Sequence, residues 1–179
     1  MPMRDRYLSR RGHLAASFAA GALAVAAFAS PALADFADGE RAYSLRDYPR
    51  AIAEFQPLVE RGHAGAEMMT GLMYLQGDGY ARNPGVAAIW LYKAATKGDH
   101  SAQLVFGSQR LYGHGIRRDL VDAYMWLILA AQSDNAGVVG QAAVFREAAE
   151  SEMTSGQIEA AKKRAASFTP WHDGFVTGD

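Results

Sequence analysis

The sequence predicts an all-α protein: an α/α superhelical solenoid of helix–turn–helix units, with a period of about 36 residues and a C-terminal capping helix. Three observations predict it. Residues 64–99 align with residues 100–135 without a gap, and eleven positions are identical. Such self-similarity at a fixed period marks units that stack on one another. Within each copy, small and apolar residues recur at spacings of three and four, the signature of one helix face. Between the two helical stretches of each copy stands a glycine pair, "GDG" and then "GHG", which ends one helix before the next begins.

The chain opens on a leader, residues 1–34. Arg4, Arg6, Arg10 and Arg11 precede an apolar run of 16 residues, Leu14 to Ala29, and "PALA" follows with small residues where a signal peptidase cuts. That order reads as a secretory signal peptide. A spanning helix needs about 20 apolar residues, so an anchor is the weaker reading and no stable membrane span remains after cleavage. Arg10 and Arg11 sit side by side, with His13 where a twin-arginine signal carries Phe, so both Sec and twin-arginine export stay open. Removing the leader takes four arginines and one aspartate from 18 basic and 19 acidic residues. The 145 residues left carry 14 and 18, a net charge of −4. A mildly acidic domain does not suit nucleic acid. The sequence holds no cysteine, so packing alone must hold the fold and thiol chemistry is excluded.

The first unit spans about residues 37–63. "LRDYPRAIAEFQPLVERGHAGA", Leu45 to Ala66, shares Ala51 with Ala87 and Gly62 with Gly98 at the same offset, but lacks the glycine turn. The second unit is residues 64–99. Its first helix runs from about Ala66 to Leu75, with Gly71 in the middle allowing a neighbouring helix to come close. Gly77 and Gly79 make the turn. Asn83 is placed to cap the second helix and Pro84 to open it. Ala87, Trp90, Leu91, Ala94 and Ala95 then share one face, and Gly98 ends the unit. The third unit, residues 100–135, repeats this with Ala102, Gly107, Gly113, Gly115, Asp119, Ala123, Trp126, Leu127, Ala130 and Ala131. The capping positions Asp47, Asn83 and Asp119 stand 36 residues apart. A cap occupies residues 136–168. Within it Thr154 and Gln157 have capping-box spacing, and Ile158, Ala161, Ala165 and Phe168 form an apolar stripe. Residues 169–179 are a tail in which Trp171 and Phe175 either pack back on the last helix or stay free.

With those residues in place, the pattern resembles the Sel-one-like repeat, a relative of the tetratricopeptide repeat. The resemblance rests on Ala66, Gly71, Tyr74, Gly77, Gly79, Trp90 and Ala94, and on Ala102, Gly107, Gly113, Gly115, Trp126 and Ala130, and it covers about residues 37–168. Arg110 stands where the repeat usually has Tyr. The family implies an α/α solenoid that scaffolds other proteins in signalling, envelope and exported settings. Some exported, cysteine-rich relatives are linked to β-lactam binding or hydrolysis. This chain has no cysteine, so that link does not carry over.

A search for chemistry finds no catalytic, cofactor-binding or metal-ligating set. G-x-S-x-G, S-x-x-K and H-E-x-x-H are absent, and "GDGYAR" is no phosphate loop because no strand leads into it. His63 and His100 fall at unit links, where solvated linker residues are a better reading than a shared metal, since no carboxylate or thiol completes a site. His114 lies in a turn, and His172 in the tail. Asp119 and Asp122 read as an N-cap and a first-turn carboxylate rather than an acid/base pair. Met68, Met69 and Met73 read as core before partner-binding surface.

Positions that differ between copies are the natural readers of a partner: Glu67 with Gln103, Met73 with Gln109, and Tyr74 with Arg110. The expected function is therefore a periplasmic or secreted interaction scaffold, holding a protein or peptide of the cell envelope in its concave groove without catalysis. Two alternatives stand beside it: a periplasmic enzyme acting on cell wall or β-lactams, and a self-associating structural subunit.

Overall fold

The computed structural model describes residues 35–171. The leader read over residues 1–34, and His172 and Phe175 in the tail, lie outside the described residues. Eight helices follow one another: α1 (Phe36–Ser44), α2 (Tyr48–Glu60), α3 (Ala64–Gln76), α4 (Pro84–Thr96), α5 (His100–Tyr112), α6 (Leu120–Ala130), α7 (Ala136–Glu150) and α8 (Ser155–Ala166). The first six pack as successive pairs, each against the next, while α7 packs on α5 and α6 and α8 packs on α6. None of the described helices is long and apolar enough to cross a membrane.

Side chains that accept hydrogen bonds from the first free amides start the helices. Asp47, Asn83 and Asp119 accept from the amides of Arg50, Val86 and Asp122, so the second helix of each pair begins where the sequence puts its cap. Pro84 takes the first helical position, where a missing amide costs nothing. A second capping series serves the first helices: His63, Asp99 and Asn135, again 36 residues apart. Thr154 and Gln157 close a reciprocal capping box on α8.

The two glycines of each turn do different work. Gly77 and Gly113 are left-handed C-caps, and their amides donate to the carbonyls of Met73 and Gln109. Arg82 and Arg118 return from the turn to donate to the carbonyls of Leu75 and Leu111, which explains why this arginine is kept in both copies. Gly79 and Gly115 instead face the preceding pair. A Cβ on Gly79 would stand 2.8 Å from Tyr48 Cβ, and one on Gly115 would stand 2.4 Å from the Pro84 carbonyl carbon. The turn of the first pair holds no glycine, and Arg46 supplies the left-handed residue (φ 61°) in a shorter turn.

Gly71 and Gly107 let α3 approach α4 and α5 approach α6. Their missing Cβ atoms leave room for Leu91 and Leu127 respectively. The core runs through the stack as one apolar cluster under α1–α3, around Phe55 and Met73, and a larger one from α4 to α8 around Leu91, Phe106, Leu111 and Tyr124. Residues 136–168 supply the α8 helix read from the sequence and a second helix, α7, which carries no repeat signature. After the C-cap Ser167 the chain leaves the helix and runs back to the earlier pairs: Phe168 packs on Trp126, and the Trp171 amide donates to the Thr96 carbonyl at 2.8 Å. Trp171 thus lies by the end of α4 and not on α8.

Candidate groove between repeats

The six positions expected to read a partner do not share a surface. Met73, Gln109, Gln103 and Glu67 are 0, 2, 2 and 3% exposed. An inner first helix is covered by the pair before it and by its own partner helix, so most of its circumference is interior. The polar members are buried because each satisfies a neighbouring backbone. Gln103 Nε2 donates to the Ala95 carbonyl, and Gln109 Nε2 donates to the carbonyls of Pro84 and His114. Glu67 Oε1 accepts from Lys97 Nζ at 2.9 Å, and the same ammonium donates to the Gly62 carbonyl. These residues differ between copies because what they touch differs. Tyr74 and Arg110 alone of the six reach the surface, each half-buried.

The surface that does repeat is a pair of clefts in each inter-pair seam. The first, about 340 Å³, lies between α2 and the α3–α4 pair and is walled by Gln56, Thr70, Tyr74, Tyr80 and Trp90. Its counterpart one repeat along, about 310 Å³, is walled by Tyr92, Phe106, Arg110 and Ile116, which stand 36 residues beyond Gln56, Thr70, Tyr74 and Tyr80. Polar Gln and Thr in one become Tyr and Phe in the other. Tyr74 stacks on Tyr80 at 4.2 Å, and burial, then Tyr74, pushes the Tyr80 phenol up. Arg110 pairs with Asp122 at 2.6 Å, lies over the Phe106 ring and donates to the Arg117 carbonyl, so it holds its own turn.

The second cleft, about 690 Å³, shares Val59 and Glu60 with the first and continues to Gly62, Glu67, Lys93, Thr96 and Lys97, with Trp171 at its edge. Its counterpart 36 residues on is built from Gly98, Gln103, Leu129 and Gln132, but holds only about 300 Å³. Ala165, Phe168 and Pro170 close that one.

Trp90 and Trp126 show the same contrast. Trp126 is buried, with Phe168, Phe106 and Tyr92 packed edge-on at 5.4, 5.7 and 6.1 Å. Trp90 is half-buried, and the ammonium of exposed Lys93 stands 4.2 Å above its ring. Tyr80, Lys93, Lys97 and Trp171 were missed by sequence reasoning. The signal available for Lys93 was its replacement by Leu129 in the next copy, a charged residue at a position otherwise apolar.

The remaining candidates are structural. His63 Nδ1 accepts from the Ala66 amide, and its ring packs on Phe36 at 4.9 Å, so it is an exposed N-cap rather than a linker residue. Asp99 does the same for α5, and burial raises its carboxyl above the ordinary range against the opposing pull of the Ala102 and Ser101 amides. Asp119 caps α6, and Asp122 faces Arg110. Met73 and Met69 are core residues and Met68 is half-buried. Among the described residues no three His, Cys, Asp or Glu side chains gather into a set able to hold a metal ion.

The Sel1 repeat model matches residues 64–99 and 102–135. Among solved structures, the fold is similar to c5321, a protective antigen present in uropathogenic Escherichia coli strains that displays an SLR fold: 28% identity, TM-score 0.66, covering 73% of this chain and 28% of that one. It is also similar to a Sel1 repeat protein from Oxalobacter formigenes: 23% identity, TM-score 0.58, covering 75% of this chain and 56% of that one. At that identity the second likeness speaks to fold alone. This chain therefore spans less than two thirds of either protein's length. No curated protein matches the sequence.

Proposed function

We propose that this chain, a Sel1 repeat protein, is an exported adaptor that holds a protein or peptide of the cell envelope in the seam between its first and second repeats, and that it performs no catalysis. One observation carries the reading. The clefts of that seam are open, aromatic and charged, while their counterparts one repeat along are filled by the chain itself or lined by apolar side chains. A fold needs no opening of that size to be stable, because one repeat along the larger cleft is reduced from about 690 to about 300 Å³. The titratable groups support a binding role, since His63, Asp119 and Asp122, singled out in the sequence, are occupied in caps and an ion pair. Export, to the periplasm or beyond, rests on the leader pattern.

The reading is tested by placing a photo-crosslinking residue at Tyr74 or Gln56, and at Lys163 on α8 as a control, in the native host. Adducts to one envelope protein from the seam positions and none from Lys163 are expected. Adducts from the control alone, or from none of the three, refute it. Arg110 is unsuited to this test, since reversing its charge breaks its own turn.

A further inference from the structure

Trp90 and Trp126 hold one position a repeat apart, yet only Trp126 has its surroundings completed. Three rings pack on Trp126. Thirty-six residues earlier, Gln56 and Thr70 stand for Tyr92 and Phe106, and nothing stands for Phe168. Among the described residues Trp90 makes no ring–ring contact. Phe168 belongs to the non-helical segment 168–171, which follows α8, walls and narrows the cleft of the third unit, lays Pro170 against Gly98 and anchors the Trp171 amide on Thr96. Trp171 lines the equivalent, larger cleft of the second unit, about 690 Å³ against 300 Å³. Residues 168–171 are thus a non-helical peptide seated against a cleft of this type, with Phe168 on Trp126 and the Trp171 amide on the Thr96 carbonyl.

The open cleft differs from the filled one in charge. Arg61 and Lys93 stand at its rim, where the filled cleft has Leu129 in the place of Lys93. On its floor Glu67, 3% exposed, keeps Oε2 without a hydrogen-bond partner. A carboxylate oxygen held out of water calls for a donor. Gln103, its counterpart, is neutral and leaves only an amide oxygen in that position.

We propose that the two clefts of the second unit, which meet at Val59 and Glu60, together receive a non-helical peptide of a protein partner: it lies in the larger one, and an aromatic side chain reaches Trp90 in the wall of the smaller one and packs edge-on against it, as Phe168 does against Trp126. Acidic residues flanking that aromatic face Arg61 and Lys93, and a backbone or side-chain donor of the peptide reaches Glu67 Oε2. Edge-on aromatic pairs contribute beyond the area they bury, so the aromatic residue is the anchor and the charges set register. This assignment rests on the adaptor reading and adds to it the site and the chemical class of ligand.

The test is a phage-displayed library of random peptides panned on the full chain. Enriched peptides carrying an aromatic residue beside Asp or Glu are expected, with affinity lowered at least about tenfold by Trp90→Ala and by Lys93→Asp. Lys93 is exposed, so its variant folds even where Trp90→Ala weakens the stack. Peptides whose affinity both variants leave unchanged overturn this site and leave the adaptor reading standing. Peptides that bind only when the full chain carries Phe175→Ala make the protein's own tail the occupant and overturn a partner in trans. No enrichment on any of these proteins overturns both readings.

Discussion

Replacing Gly115 by alanine, with Gly113→Ala beside it, separates the cost of a left-handed residue from the cost of prising two units apart. Gly113 and Gly115 have φ of 74° and 79°, so alanine meets the same backbone penalty at both, about 1–2 kcal/mol. At Gly113 the added Cβ meets nothing nearer than 3.5 Å. At Gly115 it stands 2.4 Å from the Pro84 carbonyl carbon and 2.6 Å from Pro84 Cβ and O, and backbone cannot swing aside as a side-chain tip can. Relief requires shifting the start of α4 against the α5–α6 turn, and overpacking of this kind adds about 1–3 kcal/mol. Gly113→Ala is therefore expected to cost about 1–2 kcal/mol, and Gly115→Ala about 2–5 kcal/mol. Urea unfolding followed by far-ultraviolet circular dichroism measures both, with unchanged slopes showing that the same surface unfolds. Equal losses at the two glycines would refute the claim that the second glycine of the turn exists for the contact between units.

The two tryptophans should behave unlike each other. Trp126→Ala is expected to lower stability by about 3–5 kcal/mol and Trp90→Ala by about 1 kcal/mol, because only the first empties a closed aromatic cluster. Comparable losses in chemical denaturation would contradict the difference in packing. Lys97→Met leaves the Glu67 carboxylate buried without its cation, at a cost of about 3 kcal/mol. Adding Glu67→Gln is expected to restore most of that loss, and strict additivity of the two substitutions would exclude a coupled pair. Asp99 carries a carboxyl raised by burial, so folding favours its protonated form. That contribution is complete below the ordinary carboxylate pKa and is lost as pH rises through the folded value. Asp99→Asn keeps a capping side chain without the titration, so its stability relative to wild type should climb between about pH 3 and pH 7. A flat difference across that range would mean that burial does not perturb this group.

What could be read along the chain was whatever is decided within a few residues. Asp47, Asn83 and Asp119 cap their helices because the acceptor and the free amide lie three residues apart, a relation any unfolded segment already contains. Thr154 with Gln157 obeys the same rule, and so does the left-handed glycine that closes α3 and α5. His63 escaped notice as a cap because imidazole is an uncommon choice there. The 36-residue series His63, Asp99, Asn135 carries the signal that would have found it, and the last member also starts α7. The helix α7 itself was not read because it belongs to no repeat copy.

The destination of a side chain that reaches beyond its own helix was not legible in this way. Glu67, Gln103 and Gln109 look like solvated polar residues on the face of a helix. They are interior because a carbonyl of the preceding unit meets Gln103 and Gln109 and an ammonium from the far end of its own pair meets Glu67, and each partner depends on how the helices lean together. The sequence by itself determined the helical pairs, their period and their stacking, since capping, turn formation and apolar periodicity act locally and repeat with the chain. Only the tertiary structure decided which cleft stays open. The aromatic plug for Trp126 is Phe168, from beyond the repeats, and among the described residues no ring packs on Trp90 in the same way.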